Sequence, residues 1–168
     1  GDLDFYTYVP DDSFEEYIEN NIPGASNGNP NDNFVIKSAL NFYTNTLAPD
    51  YIYLWPLSLS EPIYDFTGIG DFKGDHQLYI DGQLANTLDL SCLEFGTSVG
   101  FFGQTNGLTI TNCPYLETLI LPQDTIGMIN ISDMASLNNI IFQNESIYTN
   151  VSILDSPSLC SIDFLGEL

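Results

Sequence analysis

Leu108-Thr109-Ile110, then Leu116-Glu117-Thr118-Leu119-Ile120-Leu121, then Ile126 after the polar turn Pro122-Gln123-Asp124-Thr125, is the stretch whose reading decides the fold. The same order of apolar positions returns as Ile129-Asn130-Ile131, Leu137-Asn138-Asn139-Ile140-Ile141-Phe142 and Ile147. It returns again as Val151-Ser152-Ile153 and Leu159-Cys160-Ser161-Ile162-Asp163-Phe164, at offsets of 21 and 22 residues. A less regular copy precedes them in Leu78-Tyr79-Ile80, Ala85-Asn86-Thr87-Leu88-Asp89-Leu90 and Phe95, so four units align. Each unit carries two runs of period two, whose apolar side chains share one face while those between them meet water. One such coil buries nothing alone. Coils stacked at ~4.7–4.9 Å pair their strands in parallel ladders and close one core, so the repeat predicts a mainly β, parallel solenoid. A β-sandwich would space its strands at roughly 8–12 residues and would not hold three apolar positions in phase.

Between the first two units lies a Gly-rich segment, Gly96 to Gly107, containing Phe101 and Phe102, which reads as a loop bulging from the stack with its aromatics exposed. Upstream, Asp12 or Ser13 suits a helix N-cap, Glu15 and Glu16 suit the positive helix end, and Phe14, Tyr17 and Ile18 share one face. The spacing predicts a helix over about 12–21, ending before Pro23-Gly24 and covering the open apolar end of the stack. A Gly/Asn/Pro-rich loop, Gly24 to Asn33, follows; Phe34 to Leu47 reads equally as a short helix or as strands. Tyr51-Ile52-Tyr53-Leu54-Trp55 alternates as a strand of the cap core. The organisation expected is an N-terminal cap over 1–72 and four coils over 73–168. After Phe164-Leu165-Gly166-Glu167-Leu168 no polar capping segment follows, so the expected arrangement is a piece of a longer protein or a stack completed by another chain, with Ile162, Phe164 and Leu168 as the assembly surface.

Tyr8-Val9-Pro10-Asp11-Asp12-Ser13-Phe14-Glu15-Glu16-Tyr17 resembles the VPDDxFE opening of secreted leucine-rich-repeat proteins of Bacteroidetes-like bacteria. Asp65-Phe66-Thr67-Gly68-Ile69-Gly70-Asp71-Phe72 resembles their entry into the first coil, and the coils themselves are similar. The region Pro23 to Pro62 departs from that family's shorter path, and its regular strand Asn is missing. The resemblance implies a leucine-rich-repeat-type solenoid with an α-helical N-terminal cap, a secreted or cell-surface location, and adhesion or recognition. It brings no catalytic residues with it.

The charge balance narrows the partners. Twenty-three Asp and Glu face only Lys37 and Lys73 among 168 residues, for a net charge of -21. Nucleic-acid binding and anionic membranes both require clustered cations, so neither is expected. No stretch is long and apolar enough to insert in a membrane, and the opening Gly1-Asp2-Leu3-Asp4 lacks the regions of a signal peptide, as in an already processed chain. Basic partners and hard cations are what such a surface attracts. Calcium is the cofactor to consider, on Asp2, Asp4, Asp11, Asp12, Glu15 and Glu16, although the EF-hand and Gly-rich calcium spacings are absent; otherwise no cofactor is expected.

Catalytic constellations are not apparent. His76 is the only histidine, no carboxylate pair stands out, and Gly68-Ile69-Gly70 lacks the lysine of a phosphate loop and reads as a tight turn. Cys92, Cys113 and Cys160 lack metal-ligand spacing, allow at most one internal disulfide, and read as buried thiols. Asn130, Asn144 and Asn150 open N-x-Ser triplets that carry meaning only in a eukaryotic source. The binding face expected is the strand ladder, in three rows: Asn86, Glu117 and Asn138 with Cys160; Thr87, Thr118, Asn139 and Ser161; Asp89, Ile120, Ile141 and Asp163. The function expected is noncatalytic recognition of protein or glycan, on that ladder or on the Gly96–Gly107 loop with Phe101 and Phe102, or else assembly with copies of itself into a filament, surface layer or virion appendage.

Overall fold

A computed structural model describes residues 4–164 except 48, 50, 75–76, 93, 96–106, 122–124, 143–146 and 149. The chain opens with β1 (Tyr6–Tyr8), α1 (Asp12–Asn21) and β2 (Phe34–Ile36). β1 and β2 form an antiparallel ribbon in which Thr7 opposes Val35, both buried. α1 is capped by Asp11, whose Oδ1 accepts from Ser13 N and Phe14 N, each at 3.1 Å. This corrects the assignment of the cap to Asp12 or Ser13. Asp11 holds the extended backbone a cap requires, with φ -89° and ψ 115°, while the next two residues lie inside the first turn. Glu15 is buried and accepts from Asp32 N (3.2 Å) and Asn33 N (3.0 Å), tying the helix to the loop behind it. Burial pushes its carboxyl above the usual range, against those two amides. Phe34 to Leu47 resolves as β2 followed by one 3-10 turn, Lys37–Leu40.

Two parallel ladders then build the solenoid, coil by coil. The coils run through β3 (Tyr51–Leu54) and β4 (Lys73–Gly74); then β5 (Gln77–Asp81), β6 (Thr87–Asp89) and β7 (Glu94–Phe95); then β8 (Gly107–Thr111), β9 (Thr118–Ile120) and β10 (Thr125–Ile126). β11 (Met128–Ser132), β12 (Asn139–Phe142) and β13 (Ile147–Tyr148) make the next coil, and β14 (Val151–Ile153) and β15 (Ser161–Phe164) the last. One sheet has the order β14-β11-β8-β5-β3, the other β15-β12-β9-β6, and every pairing in both is parallel. β4 with β7, and β10 with β13, form short parallel pairs on a third side. The parallel solenoid expected from the repeat is what the chain forms. One element sits elsewhere than expected: β3 is the first rung of the longer sheet, with Ile52 beside Leu78 and Leu54 beside Ile80, and not a strand of the cap core. Gly107 likewise belongs to β8, so the segment between the first two coils ends before it.

The corners explain why the coil closes at the same place each time. Two residues beyond Ile80, Ile110, Ile131 and Ile153 of the longer sheet stand Gly82, Asn112, Asp133 and Asp155, with φ of 68°, 52°, 56° and 47°. That left-handed conformation costs most L-residues about 1–2 kcal/mol, and Gly, Asn and Asp adopt it with the least strain. Inside the corners lie the leucines and isoleucines of the repeat, continuous with Phe14, Phe66 and Phe72 of the cap end. Gln83 is the exception, a buried amide that accepts from Ile63 N (2.7 Å) and donates to Leu54 O (3.2 Å) and Asp81 O (2.6 Å). It stitches the first coil to the second beside the backbone bond from Leu84 N to Ile63 O.

Candidate functional site

The face carried by β6, β9, β12 and β15 is built by register. Thr87, Thr118, Asn139 and Ser161 are direct neighbours down the stack, as are Asp89, Ile120, Ile141 and Asp163. Asn86, Glu117, Asn138 and Cys160 are joined as a third row by backbone bonds: Glu117 N to Asn86 O at 2.8 Å, Asn138 N to Glu117 O at 3.0 Å and Cys160 N to Asn138 O at 3.0 Å. Leu88, Leu119 and Ile140 point inward between the rows. Asn86, Glu117, Asn138, Thr87, Asp89 and Asp163 are exposed, whereas Thr118, Asn139, Ile120 and Ile141, with neighbours on both sides, and Ser161, with one, are half-buried. Ser161 Oγ donates to Asn139 Oδ1 at 2.9 Å, so hydroxyl and amide groups are held along the row. The result is a flat polar surface with one half-buried isoleucine stripe.

At the cap side this face ends in a cleft of about 520 Å³. One wall is β6 with Asn86, Thr87 and Asp89; the other is the loop of residues 64–70. The loop is pinned by the helix cap itself, because Asp11 Oδ2 accepts from Tyr64 N (2.8 Å) and Asp65 N (3.2 Å). Asp65 Oδ1 in turn accepts from Thr67 N (2.8 Å) and Thr67 Oγ1 (2.6 Å). Gly68 sits at φ 101° with room for no side chain, since a Cβ there would lie 2.8 Å from Tyr8 O and from Val9 Cγ2. A Cβ at Gly70 would lie 2.9 Å from Cys92 Cβ, which places the loop tightly against the chain three residues beyond β6. Tyr64 and Cys92 are exposed on the rim.

Other expected residues fall outside this site. Ile162 and Phe164 are exposed on the last coil; Phe101, Phe102, Leu168, Asn144 and His76 lie outside the described residues. Asn130 faces outward on β11 and Asn150 is exposed. Among the described residues, no three His, Cys, Asp or Glu side chains gather as a metal site. Asp11 and Glu15, considered for calcium, are occupied by backbone amides, and Glu16 accepts from Ser60 Oγ at 2.6 Å. The cysteines correct a further expectation: Cys113 is buried, but Cys92 and Cys160 are exposed free thiols. Burial pushes the Cys113 thiol up to about 11.

The sequence reading passed over a second surface. Tyr51, Tyr53 and Tyr79 project from the outer face of the longer sheet, with ring centroids 5.6 Å apart for both Tyr51–Tyr53 and Tyr53–Tyr79. The signal was present in the alternation of residues 51–55, which puts the aromatic residues outward once Ile52 and Leu54 face in. No protein-family model, no curated protein and no solved structure matches this chain.

Proposed function

We propose that the protein is a noncatalytic recognition module of leucine-rich-repeat type, acting outside the cell or at its surface, which binds a protein or glycan on the face of β6, β9, β12 and β15. The observation that carries this reading is the three in-register rows running into a walled cleft, where Asn86, Thr87 and Asp89 serve both features. Concave, pre-formed sites with a few convergent polar groups are where ligands are held, and a rigid ladder supplies such groups without an ordering cost. The acidic surface favours basic or neutral partners over anionic ones. The test is to probe a glycan array and a peptide array with the natural chain and with the triple variant Asn86→Ala/Asp89→Ala/Asn138→Ala. Specific binding that the triple variant loses supports recognition on this face. Signal on neither array, or signal that survives the substitutions, contradicts it.

A second reading, a structural subunit that stacks on copies of itself, is favoured by the exposed Val151, Ile162 and Phe164 of the last described coil. Light scattering across a concentration series separates the two: growth in mass that Phe164→Asp abolishes supports assembly, and a monomer at all concentrations counts against it.

A further inference from the structure

The two cap-side edges of the solenoid are unlike. β3, the outermost strand of the longer sheet, is met by α1, where its Tyr53 N–H donates to Tyr17 Oη at 2.9 Å. β6 is the outermost strand of the other sheet. Its even-numbered neighbours point their backbone groups at the next rung: Leu90 N donates to Ile120 O at 2.9 Å, and Asn86 O accepts from Glu117 N at 2.8 Å. In a parallel ladder the alternate residues, Thr87 and Asp89, then direct their N–H and C=O groups the opposite way, into the cleft. The 64–70 wall does not pair with them. The chain of the first coil meets the second at Leu84, whose N–H donates to Ile63 O at 2.9 Å; Asp11 then draws Tyr64 and Asp65 aside. Among the described residues, no hydrogen bond joins residues 64–70 to the backbone of Thr87 or Asp89.

A bare strand edge is a template for another strand, and here it is enclosed by a second wall rather than left flat in solvent. We infer that the cleft takes an extended, basic polypeptide segment that pairs with Thr87 and Asp89 as a fifth strand on β6. This rests on the reading of the face as a recognition surface and names its partner. The sign of the partner follows from the lining, which contains Asp65 and Asp89 and no lysine. The chain has little cation of its own to offer: of its two lysines, Lys37 is 2.9 Å from Asp71 and Lys73 lies in β4. Main-chain pairing supplies affinity in such strand addition, while the side chains of alternate residues supply specificity. Lysine or arginine at the positions facing Asp65 and Asp89 meets that requirement.

The experiment is a ¹⁵N-edited NMR titration of the full chain, with amide exchange, using three probes: the capped peptide KTVKVTK, its acidic counterpart ETVEVTE, and KTVKVTK methylated on alternate backbone nitrogens. The expected result is that KTVKVTK slows exchange of the Thr87 and Asp89 amides by about tenfold or more, as buried main-chain bonds do, while ETVEVTE and the methylated peptide leave both unchanged. Asp65→Asn/Asp89→Asn should abolish the preference for the basic probe. Thr87→Pro should weaken it as methylation does while the chain stays folded, because proline is tolerated where an edge N–H points away from the sheet. Equal effects of the methylated and plain peptides, or unchanged Thr87 and Asp89 amides at saturation, overturn the strand-addition proposal. Binding of KTVKVTK that instead shifts Asn138 and Asn139 also overturns it, while leaving the recognition reading standing. A neutral oligosaccharide that displaces no peptide yet shifts Thr87 and Asp89 overturns it as well.

Discussion

Equivalent positions in the middle and at the last described coil live in different environments. Ile129 is 0% exposed and its neighbour Val151 39%; Ile140 is 0% and Ile162 43%; Phe142 is 5% and Phe164 74%. The residue types, register and strand geometry are alike, so what differs is only whether a further layer lies on top. At the other end α1 supplies that layer: Phe14 packs with Phe66 and Phe72 at ring distances of 5.7 and 6.2 Å, and Tyr17 takes the edge amide of β3. Stability in a solenoid is therefore a property of interfaces between coils more than of the coils themselves.

The largest contrast should be chemical. With its thiol pushed up to about 11 and buried mid-stack, Cys113 carries a thiolate fraction hundreds of times smaller at pH 8 than a free thiol of pKa ~8.5. A disulfide reagent followed by mass spectrometry should mark Cys92 and Cys160 promptly and Cys113 only on unfolding; early labelling of Cys113 would show that the corner is open. In stability the same asymmetry should appear in urea unfolding. Ile140→Ala should cost about 3 kcal/mol as a cavity in a filled core, and Ile162→Ala under about 1 kcal/mol. Similar losses at both would erase the distinction between the two environments. At the capped end, Asp11→Ala removes the acceptor for four amides, those of Ser13, Phe14, Tyr64 and Asp65, and should cost about 2 kcal/mol with loosening of the cleft wall. At the corners Asn112→Val should cost about 1–2 kcal/mol, and Asn112→Gly should give the smallest effect, within a few tenths, since glycine holds a φ of 52° without strain.

Much of the stack was legible because period-two alternation states which side chains share a face, and a constant offset states which residues become neighbours. Leu119 beside Ile140, and Ile120 beside Ile141, follow from those two facts alone. The first rung was not legible: between Ile52 and Leu78 the chain inserts the 3-10 turn Ile69–Asp71 and the pinned loop, so the offset of the later coils is lost. The left-handed corner was visible as Gly, Asn, Asp and Asp two residues beyond each Ile of the LxI run, a column that only backbone reasoning picks out. Cys160 was misjudged against its own parity, since it occupies the same outward row as Asn138. The cleft could not be read at all, because its 64–70 wall is set in place by one carboxylate, Asp11, whose second oxygen acts some fifty residues away.

Amide hydrogen exchange, resolved by residue, tests the layered core most directly. If coils protect one another, the ladder amides of β8, β9, β11 and β12 should exchange only through global opening, with protection falling at β14 and lowest at β15. Protection of β15 equal to that of β9, or slow and fast amides distributed without regard to position in the stack, would contradict it.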